Sequence, residues 1–299
     1  MSGRFFLFSA VAGGASLYCF KAARDLWRSG ETVLSAKDTT IAELVNSSEG
    51  SAAIRKDVVD VQGQVRACSK AMGCTLNDKS TMKVVYQRST WREKLYSCQI
   101  AQRNGQLRVD CHESWRESKC IVGEVQGAEK RKGRNSDRTH SFQMHDGGGK
   151  SVFVFEASDE AMDGIARRVV DTYAPSTNDT IETKRRKQAH TALYISVAVA
   201  KASQAVAVDT ESIEPLVLGT KKTVDVVAEG DFVHVIGRPE LHNERNGSRV
   251  VRFNKDALLS RSGHQELGEA IQRDSDNKRF YAWLFAIPSI ASVFAGLSR

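Results

Sequence analysis

Two uncharged apolar runs, one near each end of the chain, constrain its fold more than anything else in the sequence. Phe5 to Phe20 reads FFLFSAVAGGASLYCF, and Phe280 to Leu297 reads FYAWLFAIPSIASVFAGL. As helices they would extend about 24 and about 27 Å, close to the roughly 30 Å of a bilayer's hydrocarbon core. The first has small residues at Ala10, Gly13, Gly14 and Ala15 that suit close helix packing. A secretory leader is the rival reading of that run, with Arg4 as its charged start. The second run carries Phe280, Tyr281 and Trp283 at one end, as interfacial aromatics do, and Pro288 as a kink. The expectation is therefore a transmembrane helix over 5–20, a domain over 29–279 and a second transmembrane helix over 280–297.

Orientation follows from flanking charge. Lys21, Arg24, Arg28, Lys278 and Arg279 border the middle domain, whereas Arg4 and Arg299 lie outside. The positive-inside rule would place the domain on the cytosolic or matrix-like side. The formal net charge of +7 comes largely from basic runs at Lys130–Arg134 and Lys184–Lys187. Neither run is interleaved with aromatics, so nucleic acid is not expected; the default reading is a solvated loop, with anionic lipid headgroups as the better functional alternative.

The middle region reads as α+β and strand-rich. Residues 38–46 predict a short helix capped by Thr39 or Thr40 with Glu43 returning. Strand patterns occur at 58–66, 82–88, 94–101, 106–110, 119–125, 151–155, 192–199, 215–218, 231–237 and 249–254. Asn104–Gly105 and Asn246–Gly247 mark hairpins. Residues 129–150 read as an exposed loop, 158–173 as the clearest helix, capped by Ser158, and 255–273 as helical. The Val-alternating runs around Gly63 and Gly237 suggest matching strands of two related halves.

Catalytic chemistry is not apparent. Gly147–Gly148–Gly149–Lys150–Ser151 ends like a phosphate loop, but Met144 stands where that motif needs glycine and a strand follows. The seven histidines show no H-x-x-x-H spacing. Cys68 and Cys74 could bridge in an oxidising space, and Cys111–His112 with Cys120 makes at most half a metal site. No catalytic residue, cofactor site or metal site is expected.

Several segments resemble the GIDE family of membrane-bound RING ubiquitin ligases, of the mitochondrial ubiquitin ligase activator of NF-kappa-B type. They are Ile41–Val45, Val61–Val65, Val84–Tyr86 with Trp91, Asp231–Leu241 with Arg249–Phe253, and Lys255–Leu259. The resemblance implies a "beside a membrane" domain between two transmembrane helices, placed in the mitochondrial outer membrane. It also implies a partner protein in the membrane or facing the domain, in addition to the lipid bilayer. In the family a zinc-binding RING finger follows the second span, and none follows here. The expectation is thus a membrane-anchored interaction or regulatory module without the RING. The alternatives are a truncated ubiquitin-protein ligase and an accessory structural subunit of a membrane complex.

Overall fold

A computed structural model describes residues 2–50, 57–68, 72–75, 80–103, 106–122, 139–202, 213–243 and 249–297. The chain divides into two compact units. Unit 1 comprises Met1–Ala71, Asn135–Ile165 and Ala228–Arg299, and unit 2 comprises Met72–Arg134 and Ala166–Val227.

Unit 1 is built on an eight-stranded sheet. Its strands are β1 (Lys37–Asp38), β2 (Val59–Ala67), β6 (Thr139–His145), β7 (Ser151–Ser158), β10 (Phe232–Gly237), β11 (Glu240–Asn243), β12 (Arg249–Phe253) and β13 (Leu258–Ser260). The order is β11-β12-β7-β6-β2-β10-β13, with β1 alongside β2. In β2, Val61 and Val65 are buried while Gln62 and Gln64 are exposed, the period-2 pattern of a strand with one face on the core. Phe142, Met144, Val152, Val154, Val235 and Phe253 complete that core. Each such side chain stabilises the fold by about 1.5–3 kcal/mol on burial.

The expected helix at 38–46 forms as α2 (Ile41–Gly50). Its capping box is in place: Glu43 N–H donates to Thr40 Oγ1 at 3.1 Å, and Thr40 N–H to Glu43 Oε2 at 3.0 Å. Ile41 and Leu44, one turn apart, are buried. The runs around Gly63 and Gly237 come together in β2 and β10. They are antiparallel neighbours in one sheet, with Val61 opposite Val235. The glycine-rich stretch is the β6–β7 turn, where Gly147 and Gly149 take positive φ and Asp146 accepts from the Gly148 and Lys150 N–H groups.

Ser158 caps a helix as expected, its Oγ accepting from Ala161 N–H at 3.1 Å. That helix, α3 (Asp159–Ile165), stops after two turns, and 167–175 is a strand. The fourfold spacing of Ala161, Ile165, Val169 and Tyr173 suggested one helix. The β-branched and aromatic residues of its second half instead form a ladder in unit 2.

The two apolar runs lie within α1 (Ser2–Leu34) and α5 (His264–Leu297). Among the described residues no helix is long and apolar enough to cross a membrane. This overturns the expected architecture of two transmembrane helices, the two-span integral-membrane localisation and the mitochondrial outer-membrane setting that came with it. The side chains of 5–10 and 288–297 lie outside the described residues. Each helix continues without a break into charged sequence, Lys21–Arg28 in α1 and Asp274–Arg279 in α5. What their small residues build is a seam between the two helices. Ser16, Ala23 and Gly30 recur every seven residues in α1, and Gly268, Ser275 and Ala282 do so in α5; all six are buried. Ser16 donates to Ala282 O at 2.9 Å and Ser275 to Ala23 O at 2.8 Å, which fixes an antiparallel pair. A repeat of seven keeps one stripe facing one partner, and small side chains let the backbones approach.

Unit 2 holds a five-stranded sheet, β3 (Met72–Thr75), β4 (Thr81–Arg103), β9 (Leu216–Ala228) and β8 (Arg167–Pro175) in that order, with β5 (Gln106–Val122) on β4. The expected turn residues Asn104 and Gly105 lie outside the described residues, and on either side of them the register pairs Arg103 with Gln106. The expected strand at 192–199 is instead part of α4 (Thr180–Ala202). A short apolar run does not distinguish strand from helix by itself. Here Tyr194 and Ala198, four residues apart, supply the buried stripe. Cys98 and Cys111, direct partners across β4 and β5, form a disulfide. Cys68 and Cys74 are both free thiols, so the bridge envisaged between them is absent.

Candidate functional site

Unit 2 carries a basic groove between its sheet and the first turns of α4. Strand alternation sends Lys94, Tyr96 and Cys98 of β4 to one face, together with their partners Trp115, Glu113 and Cys111 of β5. Tyr173 of β8 packs edge-on against Trp115, with ring centroids 5.9 Å apart. Trp115 is 46% and Tyr173 48% exposed, so this aromatic pair is presented to solvent rather than spent on core packing.

Beside the pair lies a cavity of about 460 Å³ lined by Lys94, Tyr173, Asn178, Thr180, Lys184 and Lys187. Glu113 bridges two of its lysines, Lys187 and Lys94, the latter at 2.6 Å. Hydrogen bonds from Lys187 and then Lys94 hold the Glu113 carboxyl below the usual carboxylate range. The same bond from the other side raises Lys94. Three lysines against one carboxylate leave the groove with excess positive charge. Asp179 caps α4, accepting from Ile181 N–H at 2.7 Å.

The two basic runs separate here. Lys184 and Lys187 of the second run line the groove. Arg186 turns to Ser176 Oγ at 2.9 Å. The first run, Lys130–Arg134, lies outside the described residues. His112 reaches Ser97 Oγ at 3.3 Å, and the Cys111 sulfur is bonded to Cys98.

Unit 1 carries a second cluster that no spacing in the sequence marks. Asp60 of β2 is 3% exposed. Its Oδ1 accepts from His234 Nδ1 of β10 at 2.9 Å. Its Oδ2 faces His264 Nδ1 at 3.1 Å and accepts from the His264 backbone N–H at 2.8 Å. His264 opens α5, so Asp60 places its carboxylate at a helix N-terminus across 204 residues of sequence. A buried carboxylate is tolerated only with such partners. Asp38 is the direct partner of Asp60 in the parallel β1–β2 ladder, and its Oδ1 lies 3.3 Å from the same His264 Nδ1.

No protein-family model, curated protein or solved structure matches this chain.

Proposed function

We propose that the chain is a protein-interaction module whose unit 2 groove binds an acidic segment of a partner protein. The observation that carries this reading is the solvent-facing Trp115–Tyr173 pair beside three lysines, two of which share the Glu113 carboxylate. Tyrosine and tryptophan supply much of the energy at protein interfaces because they bury large area with few rotatable bonds. The lysines would select for acidic sequence and speed encounter. A regulatory role related to ubiquitin ligases of the GIDE type belongs to the same proposal. It is supported only by the resemblance of Ile41–Val45, Val61–Val65 and the β10–β12 segments to that family.

The test is fluorescence anisotropy of the full chain with a labelled Glu/Asp-rich peptide carrying one aromatic residue. Binding should weaken steeply with added salt. Trp115→Ala should reduce affinity by about 1–2 kcal/mol, roughly five- to thirtyfold, and Lys184→Glu should reduce it further at low salt. Equal affinity for wild type and both variants would exclude the groove. Preferential binding to vesicles of anionic lipid over the peptide would replace the protein partner with a headgroup.

A further inference from the structure

We infer that Asp38, Asp60 and His264 bind a divalent transition-metal ion of the zinc type, with His234 hydrogen-bonded to the other oxygen of Asp60. The three ligand atoms all lie within 4.8 Å of one another. His264 Nδ1 is 3.1 Å from Asp60 Oδ2 and 3.3 Å from Asp38 Oδ1. A tetrahedral ion with bonds of about 2.0–2.1 Å sets neighbouring ligand atoms about 3.3 Å apart. The two separations from His264 Nδ1 are already close to such an edge.

A hydrogen-bonded cap on α5 explains Asp60 and His264 but not Asp38. One Nδ1 faces two carboxylates, and a single N–H cannot serve both well. Those carboxylates are also direct neighbours across the parallel ladder, where like charges destabilise the pairing. A cation among the three groups removes both difficulties. His264 would then offer its Nδ1 lone pair, with its proton on Nε2.

Two carboxylates and imidazole suit zinc, manganese or ferrous iron, and lack the thiolates that favour cuprous ion. Calcium would need six to eight oxygens, more than these residues offer. Asp38 is 84% exposed along its side chain, which gives an ion a way in and leaves room for water as a ligand. The ligands come from β1, β2 and the first residue of α5, so the ion would join three distant segments of unit 1 and strengthen it. Sequence spacing does not reveal the site because the donors are brought together by the sheet.

The full chain, stripped with EDTA and dialysed, is titrated with zinc by calorimetry while bound metal is measured by mass spectrometry. One equivalent per chain is expected, with a raised melting temperature. Asp38→Asn should weaken binding at least tenfold, because Asp38 contributes a ligand without being part of the core. If that variant fails to fold, cobalt loaded into the wild type decides. Ligand-field bands without thiolate charge transfer support the site, and a thiolate band places the metal on cysteine. No zinc uptake by the stripped chain, or equal uptake by wild type and Asp38→Asn, overturns the inference.

Discussion

Gly63 sits where β2 passes beneath α2, and the contact leaves no room for a side chain. A Cβ there would stand 2.7 Å from Ile41 Cδ1 and 3.0 Å from His145 O. Gly63→Ala should lower stability by about 1–3 kcal/mol, read from the urea midpoint of the full chain. His190 gives a different kind of test. Its ring packs near Tyr96 and Tyr194, Nε2 is buried without a hydrogen-bond partner, and burial pushes the imidazole below its usual 6.5. The unfolded chain then binds the proton more readily than the folded one. The resulting stability is complete above about pH 6.5 and is lost as pH falls through the lower folded value. His190→Phe should flatten the melting temperature between pH 6.5 and 5 relative to wild type. Local chemistry of this sort was partly readable in the sequence. The Thr40–Glu43 box and the Ser158 cap each lie within three residues and were anticipated. The Asp60–His264 contact spans 204 residues and has no local signature.

At the level of elements, the paired helices and the bridged ribbon make the sharper predictions. A Cβ on Gly268 would fall 2.5 Å from Leu34 Cγ. Gly268→Leu should separate α1 from α5 and cost about 1–3 kcal/mol, with less helix by circular dichroism on heating. The Cys98–Cys111 bridge closes a loop of sequence separation 13. In the chain-entropy account its removal costs about 3 kcal/mol, so Cys98→Ala/Cys111→Ala should unfold at a lower denaturant midpoint. An unchanged midpoint would mean the bridge does not constrain the unfolded chain. The helix pair also shows why the sequence misleads. Hydropathy along one strand of sequence registers the apolar runs at 5–20 and 280–297 but not the seven-residue comb of small side chains that mates one helix with the other. Likewise, Val170 and Tyr173 fall within a helical stripe, yet β9 offers them a ladder that only the tertiary fold supplies.

On the scale of the whole molecule, each unit is assembled from separated stretches of chain. β2 lies between β6 and β10, which arrive from residues 139–145 and 232–237. A fragment ending at residue 134 therefore lacks β6 and β10 and leaves β2 with only the two-residue β1 beside it. It should show no cooperative unfolding transition, whereas the full chain should. The α+β, strand-rich class was evident from alternating Val, Ile and Phe, because that pattern is local. The grouping into units was not, because it depends on which strands pair across long separations. The basic groove was half visible: Lys184–Lys187 stood out as a charge run, while Lys94, Trp115 and Tyr173 join it only through β4, β5 and β8.

The interleaving of the two units also sets the order in which a ribosome can finish them. Unit 2 has all of its residues once 227 has emerged, but unit 1 waits for the segment beginning at 228. Throughout that interval α1 is already made while α5, the helix that bonds to Ser16 and Ala23 in the finished unit, does not yet exist. The nascent chain therefore carries an uncovered helical seam for the whole synthesis of unit 2, and its aggregation during translation should track the speed at which the last segment is delivered.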